Sequence, residues 1–263
     1  MRALLDGDLY AFRSAASAEN EDLGIAIARL EEMIDNTVRE TGAQEFSIFL
    51  SGENNFRYRI YPEYKANRPA ERPIYLADVK KYLVDKYQAI VADGCEADDL
   101  LGIEQCANNE TIICSLDKDL RMIPGNHYSF EIRGTSSLGK QWTRPAELTF
   151  VNNEEALRHF YMQLLIGDPA DNVKGAMGIG KVKAERLLAD CQSEKDMLEV
   201  VKDQFATEEE LIMTARVLWI WRKHNDDILE RWQSIDPTIG KGERPFSTEM
   251  DAGHNPDSVP EPN

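Results

Sequence analysis

The chain has 263 residues, 42% hydrophobic and 29% charged, enough to bury one large core and a smaller companion. No apolar run approaches the roughly 18–20 residues that span a bilayer, and the N-terminus meets Asp6 and Asp8 where a signal peptide needs an apolar stretch, so a cytoplasmic protein away from membranes is expected. A net charge of −17 weighs against a polyanionic partner unless basic groups are concentrated locally.

Arg2–Leu5 is predicted as a buried strand running into Asp6. Leu23, Ile27, Leu30, Ile34 and Val38 fall on one helical face. Phe46–Leu50 reads as a second strand, Ile74–Tyr87 as a Lys-rich helix and Ala89–Ala92 as a short strand. A helix from Ala97 to about Asn108 precedes another strand, Thr111–Ser115. Strands alternating with helices imply an α/β fold with a mostly parallel sheet. After about Pro145 the pattern turns helical: Glu154–Ile166, Lys181–Cys191, Glu194–Gln204 and one long helix over Glu208–Trp232. From Asp236 the Pro-, Gly- and acid-rich sequence reads as a mobile tail. Cys95, Cys106, Cys114 and Cys191 lack zinc-ligand spacing and read as reduced thiols, Cys106 and Cys114 being packed.

Ligands of an open parallel sheet bind at the carboxyl ends of its strands. The first strand delivers Asp6 there, with Asp8 two residues on; the strand near Ala92 delivers Glu96, Asp98 and Asp99; the strand ending at Ser115 delivers Asp117 and Asp119. A fourth acidic pair, Asp168 and Asp171, opens the helical half. Each motif alone also reads as a helix cap or a turn. Gathered in one crevice, they repel one another unless cations bind among them, and an all-oxygen donor set suits Mg²⁺ or Mn²⁺.

Basic residues are concentrated in two places. From Gly52 to Gln88 eight basic residues face five acidic ones, including Arg57, Lys65, Arg68, Lys80 and Lys81. Lys65 and Arg68, three apart, share a face if that stretch is helical and are placed to clamp a phosphate, with Tyr64 stacking on a base. The run Gly175–Lys181 leads into a basic helix, and Lys174, Gly178, Gly180, Lys181 and Lys183 form a candidate grip on a nucleic-acid backbone.

In chain order, Asp6-Gly7, the Asn55–Arg57 and Tyr61–Arg68 segments, Cys95–Leu101, Ser115–Leu120 and Gly167–Leu188 resemble the motif series of 5′→3′ exonucleases of the flap-endonuclease superfamily, most closely the bacteriophage type. The resemblance implies a PIN-like (Rossmann-like) core over residues 1–150 with an arch or clamp at about 56–88. It also implies a helical DNA-binding subdomain over 151–235 with a helix–three-turn–helix element, and a flexible acidic tail over 236–263. Carried over, Asp6, Glu96, Asp98 and Asp117 hold one Mg²⁺, and Asp119, Asp168 and Asp171 hold the other, with Asp99 bridging or acting through water. Lys65, Arg68 and Tyr64 serve the scissile phosphate and its base, and carbonyls near Gly175–Gly180 hold K⁺. One departure is plain: many relatives carry Asp at the end of the second strand, where this chain has Ser51, leaving Glu53 or water to substitute.

The implied activity is metal-dependent cleavage at 5′ ends, nicks or flaps of duplex DNA by a monomer, extending to RNA primers in RNA–DNA hybrids, in phage replication or recombination within the host cytoplasm. The alternatives are a haloacid-dehalogenase-like phosphatase using Asp6 and a non-catalytic DNA-binding accessory protein.

Overall fold

Alternation on the first strand sets up the architecture. In β1 (Arg2–Asp6) Ala3 and Leu5 enter one apolar layer and Leu4 the other, so the strand is covered on both faces. The computed structural model describes residues 1–136 and 139–243. After β1 come α1 (Gly7–Ser17), α2 (Leu23–Thr41), β2 (Glu45–Leu50), α3 (Phe56–Ile60), α4 (Leu76–Tyr87), β3 (Ile90–Val91), α5 (Ala97–Ala107) and β4 (Thr111–Cys114). A 3-10 turn over Asp119–Met122 leads to β5 (Gly125–Ser129), β6 (Ile132–Thr135), β7 (Gln141–Arg144) and β8 (Glu147–Val151).

The sheet order is β3-β2-β1-β4-β5-β8, parallel throughout except that β8 runs antiparallel to β5. Helices α1, α2 and α4 cover one face. The other face packs on α5 and the helical half of the chain. Strands β5 to β8 escape the sequence reading: β5 (Gly-Asn-His-Tyr-Ser) has little apolar character, β6 and β7 form a separate, largely exposed hairpin, and β8 leaves Leu148 and Phe150 exposed. At the β1–α1 corner, a Cβ on Gly7 would lie 2.6 Å from the Phe49 carbonyl oxygen, so the strand can turn into a helix against β2 only without a side chain there.

The helical half comprises α6 (Asn153–Ile166), a two-stranded ladder of β9 (Gly167–Asp168) and β10 (Val173–Lys174), then α7 (Lys181–Leu188), α8 (Glu194–Lys202), α9 (Glu208–Leu218) and α10 (Ile228–Ile235). The single helix expected over Glu208–Trp232 is thus two. Between them Trp219, Ile220 and Trp221 are buried in non-helical conformation, and Asp227 caps α10 through the Leu229 N–H. The apolar run that suggests helix continuation instead packs the core. The mobile tail expected from Asp236 does not begin there either: Lys202 Nζ lies 2.6 Å from Asp236, and Ile239 is buried. Residues 244–263 of that expected tail lie outside the described residues. Cys106 is exposed rather than packed, and all four cysteines are unpaired. Among the described residues no helix is long and apolar enough to cross a membrane.

One buried ion pair ties the halves together. Arg57 donates to both carboxylate oxygens of Asp99, at 2.6 and 2.9 Å, and to the carbonyls of Val217 (2.8 Å) and Trp219 (2.9 Å). Asp99 also accepts the N–H of Trp221 at 3.1 Å and that of Glu96 at 2.9 Å. Burial opposes the arginine's charge, yet Asp99 holds its pKa well above the ordinary value. Replacing Arg57 by Met strands a buried carboxylate, and we expect a loss of about 3–5 kcal/mol in urea unfolding. Arg57→Met with Asp99→Leu should recover part of that loss; equal midpoints for Arg57→Met and the parent would contradict the assignment.

Candidate active site

The sheet's connectivity puts three acidic segments at one rim. Asp6, the last residue of β1, caps α1 by accepting the Leu9 N–H at 3.1 Å, while its second oxygen accepts from the Ser115 hydroxyl at 2.7 Å. Ser115 follows β4, and its Oγ also accepts the Asp117 N–H at 3.0 Å, so two neighbouring strand ends are hydrogen-bonded together. Glu96 caps α5 in a capping box with Asp99. Asp6, Glu96, Asp98 and Asp117 line one open cleft of about 820 Å³, facing Lys65, Arg68 and Lys80.

The opposite wall is a stitched turn. Residues 61–68 are not helical: Lys65 has φ 58°, a left-handed turn conformation. The shared face of Lys65 and Arg68 therefore arises from the turn. The turn is fastened to the loop after α6, with the Lys65 N–H donating to the Asp171 carbonyl (2.9 Å), the Asn67 side-chain amide to that of Pro169 (2.7 Å) and the Asn172 side-chain amide to that of Glu63 (2.8 Å). Lys65 Nζ pairs with Glu96 and lies 3.6 Å from Asp171, and Arg68 pairs with Asp171. The Tyr64 hydroxyl stands 2.8 Å from both Glu96 and Asp171, and its single proton serves one of them at a time.

Burial and mutual repulsion raise the carboxyls of this cleft. Asp6 is pushed up to about 6 by burial, opposed by Ser115 and Leu9 and reinforced by Asp8 and Asp117. Asp98 is raised well above the carboxylate range by burial, Asp6 and Asp117. Burial likewise raises Asp117, and it lifts Asp119 to about 7 with help from Asp117 and Asp168. Glu96 goes the other way: burial opposes ionisation, but Arg57 and Lys65 hold it below its ordinary value.

This donor set fits divalent cations on two observations. Carboxylates that resist ionisation beside one another are those a cation would stabilise. In addition, the buried Oδ1 of Asp119 has no hydrogen-bond partner, and that of Asp8 meets only the Lys80 ammonium. Among the described residues no three acidic side chains close into a finished ligand shell, and Lys65 stands between Glu96 and Asp171.

Several expected roles need correction. Asp99 is fully buried and wholly committed to Arg57, Trp221 and Glu96, so it positions Glu96 instead of facing a metal. Arg57, only 2% exposed, is a core strut and does not reach DNA. Tyr64, 5% exposed, has no free ring face for a base, whereas Tyr58 and Phe12 stand exposed on the cleft wall. Lys81 pairs with Asp85 in solvent and does not line the cleft, unlike Lys80. Asp119, Asp168 and Asp171 do not line the cleft: Asp119 donates its N–H to Asp117, Asp171 pairs with Arg68, and Asp168 is buried just past α6. The phosphatase alternative needs a strand leading into Gly167-Asp168, and α6 stands there.

Lys174, Gly178, Gly180, Lys181 and Lys183 are all exposed, along the turn into α7. Gly178 has φ 71° and Gly180 caps the helix, so backbone N–H groups at the start of α7 are open to an anion. Sequence reasoning missed Ser115 and Tyr58 and left Asp8 out of both ligand sets, although Asp8 lines the cleft.

The family model described as the 5′-3′ exonuclease, N-terminal resolvase-like domain, matches residues 2–143. A thermostable DNA polymerase I of Thermus filiformis is 29% identical over 210 residues, 74% of this chain and 24% of the polymerase. A 5′-3′ exonuclease of Buchnera aphidicola is 28% identical over 194 residues, 67% of this chain and 66% of that protein. The chain thus spans about a quarter of the polymerase and just under two thirds of the exonuclease. In fold it is similar to a bacteriophage T5 flap endonuclease solved with DNA and metal ions (TM-score 0.58, 16% identity, covering 82% of this chain and 88% of that one). It is also similar to the catalytic core of Rad2 solved with a DNA substrate (TM-score 0.51, 12% identity, 90% and 87% covered). With its fold matching these nucleases and a family model covering more than half its length, the chain belongs to the 5′-3′ exonuclease family defined by the N-terminal resolvase-like domain.

Proposed function

We propose that this chain is a divalent-metal-dependent 5′→3′ exonuclease and flap endonuclease that hydrolyses phosphodiester bonds at 5′ ends of duplex DNA. The observation that carries the reading is the cleft itself, where carboxylates from neighbouring strand ends face Lys65 and Arg68. Asp6, Glu96, Asp98 and Asp117 would hold one ion, and Asp119, Asp168 and Asp171 a second. Such ions supply Lewis-acid charge and lower the pKa of water.

The remaining work falls to the chain. Lys65 and Arg68, now paired with Glu96 and Asp171, offer charge-assisted donors to a phosphate entering between them and the carboxylates, whose own charge bound cations would offset. Tyr64, whose hydroxyl is raised by burial and by Glu96, keeps its proton and holds the two walls in register. The turn into α7 would bind backbone phosphates without reading bases, and Lys80 extends the basic side of the cleft. The placement nearest the phage-type enzymes, the extension to RNA–DNA hybrids and a replication or recombination role rest on the motif series alone.

A 5′-labelled duplex, a nicked duplex, a flap and an RNA–DNA hybrid, each with Mg²⁺ and with EDTA, test this reading directly. Cleavage of the DNA substrates in Mg²⁺ alone is expected; no cleavage of any would refute it. Lys65→Ala should lower the rate by at least about 100-fold. Asp117→Asn should do the same while leaving stability in EDTA equal or higher, because it removes a carboxylate held against its neighbours.

The raised carboxyls also fix a pH dependence. Asp6 and Asp119 hold protons in the folded state up to about pH 6 and 7, against 3.8 when unfolded. Their contribution to stability is complete below about pH 4 and is lost as pH rises through those folded values. In EDTA the melting temperature should therefore carry a component that falls between about pH 4 and 7, and Mg²⁺ should restore it at neutral pH. An Asp6→Asn, Asp119→Asn double variant that keeps the same fall would contradict the assignment.

A further inference from the structure

Four parallel strands stand side by side over the cleft in the order β3-β2-β1-β4. Three of their exits supply acid: Glu96 and Asp98 beyond β3, Asp6 on β1 and Asp117 beyond β4. The exit of β2 supplies Ser51, whose hydroxyl is already used, accepting the Ala97 N–H at the start of α5 at 3.0 Å. Glu53 is exposed and does not line the cleft, so it cannot fill the gap.

Asp8 reaches into that gap from the first turn of α1. Its Oδ2 accepts the Ser51 N–H at 2.9 Å, which anchors the carboxylate on the tip of β2. Its Oδ1 is buried, makes no hydrogen bond and faces the Lys80 ammonium at 2.5 Å. The residue lines the same cleft as Asp6.

We propose that Asp8 is the cation-facing carboxylate of the β2 position, carried on the neighbouring helix and oriented by the Ser51 amide. This rests on the reading of the cleft as a divalent-metal site. One oxygen is fixed by the backbone and the other is held only by an exchangeable ion pair with Lys80, the arrangement by which an acid steers charge toward a metal or its water shell. Lys80 serves there as the protein's own counter-charge. The rival explanation is that Asp8 only anchors Lys80, and with it α4, to the cleft wall.

Mn²⁺ titration of the full chain by calorimetry and electron spin resonance separates the two without using catalysis. Asp8→Asn keeps an acceptor for the Ser51 N–H and removes only charge, so the fold survives while affinity at one Mn²⁺ site falls about 10–100-fold. Lys80→Met should leave that affinity equal or tighter, and Asp8→Ser combined with Ser51→Asp should regain most of it by moving the charge onto β2 itself. An Asp8→Asn isotherm like the parent's overturns the proposal, as does a Lys80→Met loss as large as that of Asp8→Asn. A parent chain that takes up no Mn²⁺ overturns both this proposal and the metal reading beneath it.

Discussion

The contact between Arg57 and Asp99 is the constraint on which the rest of the structure depends. Two charges inside a protein are tolerated only when nearly every donor and acceptor is used. Here the guanidinium satisfies a carboxylate and two carbonyls, and the carboxylate in turn takes two further N–H groups. An apolar pair of similar size could match its stability, so its value lies in geometry. It fixes the start of α5, and hence Glu96, against α3 on one side and the chain between α9 and α10 on the other. The stack of Phe56 on Trp221, centroids 5.0 Å apart, seals the same junction.

The overall charge and the expected polyanionic partner are reconciled locally. Much of the excess acid near the cleft faces inward, where it raises its own pKa values and draws Lys65, Arg68 and Lys80 onto it. The exposed glycines and lysines before and within α7 keep a separate surface free of that acid. The sign of the surface near each contact therefore matters more than the total of −17.

How much of this was legible in the sequence differs from residue to residue. The parallel core could be read because apolar runs, alternation and helical spacing carry burial directly, as in Leu30 and Ile34 of α2. The acids at strand ends could be read because sheet topology fixes where loops converge. Run-on motifs hid what mattered next. In Glu96-Ala97-Asp98-Asp99 the adjacent acids differ by about 100° around the helix, which turns Asp98 to the cleft and Asp99 to the core. Arg57 looks like a surface cation until its partners, 42 and 160 residues away, are known. Asp8 has no place in the motif series, and its bond to Ser51, 43 residues away, exists only where two elements meet. The break after Leu218 was invisible for a like reason, since Trp219–Trp221 are apolar enough to continue a helix and are released from it by bonds to Arg57 and Asp99.

Those distant partners also bear on how the molecule comes into being. The segment carrying the family signature ends at residue 143, yet its buried arginine completes its bonding only with carbonyls at 217 and 219. On the ribosome, a nascent chain that has exposed every strand of the sheet still holds Arg57 and Asp99 without their last partners. The bond set that holds the start of α5, and with it Glu96, is therefore complete only once residues 217–221 have been synthesised.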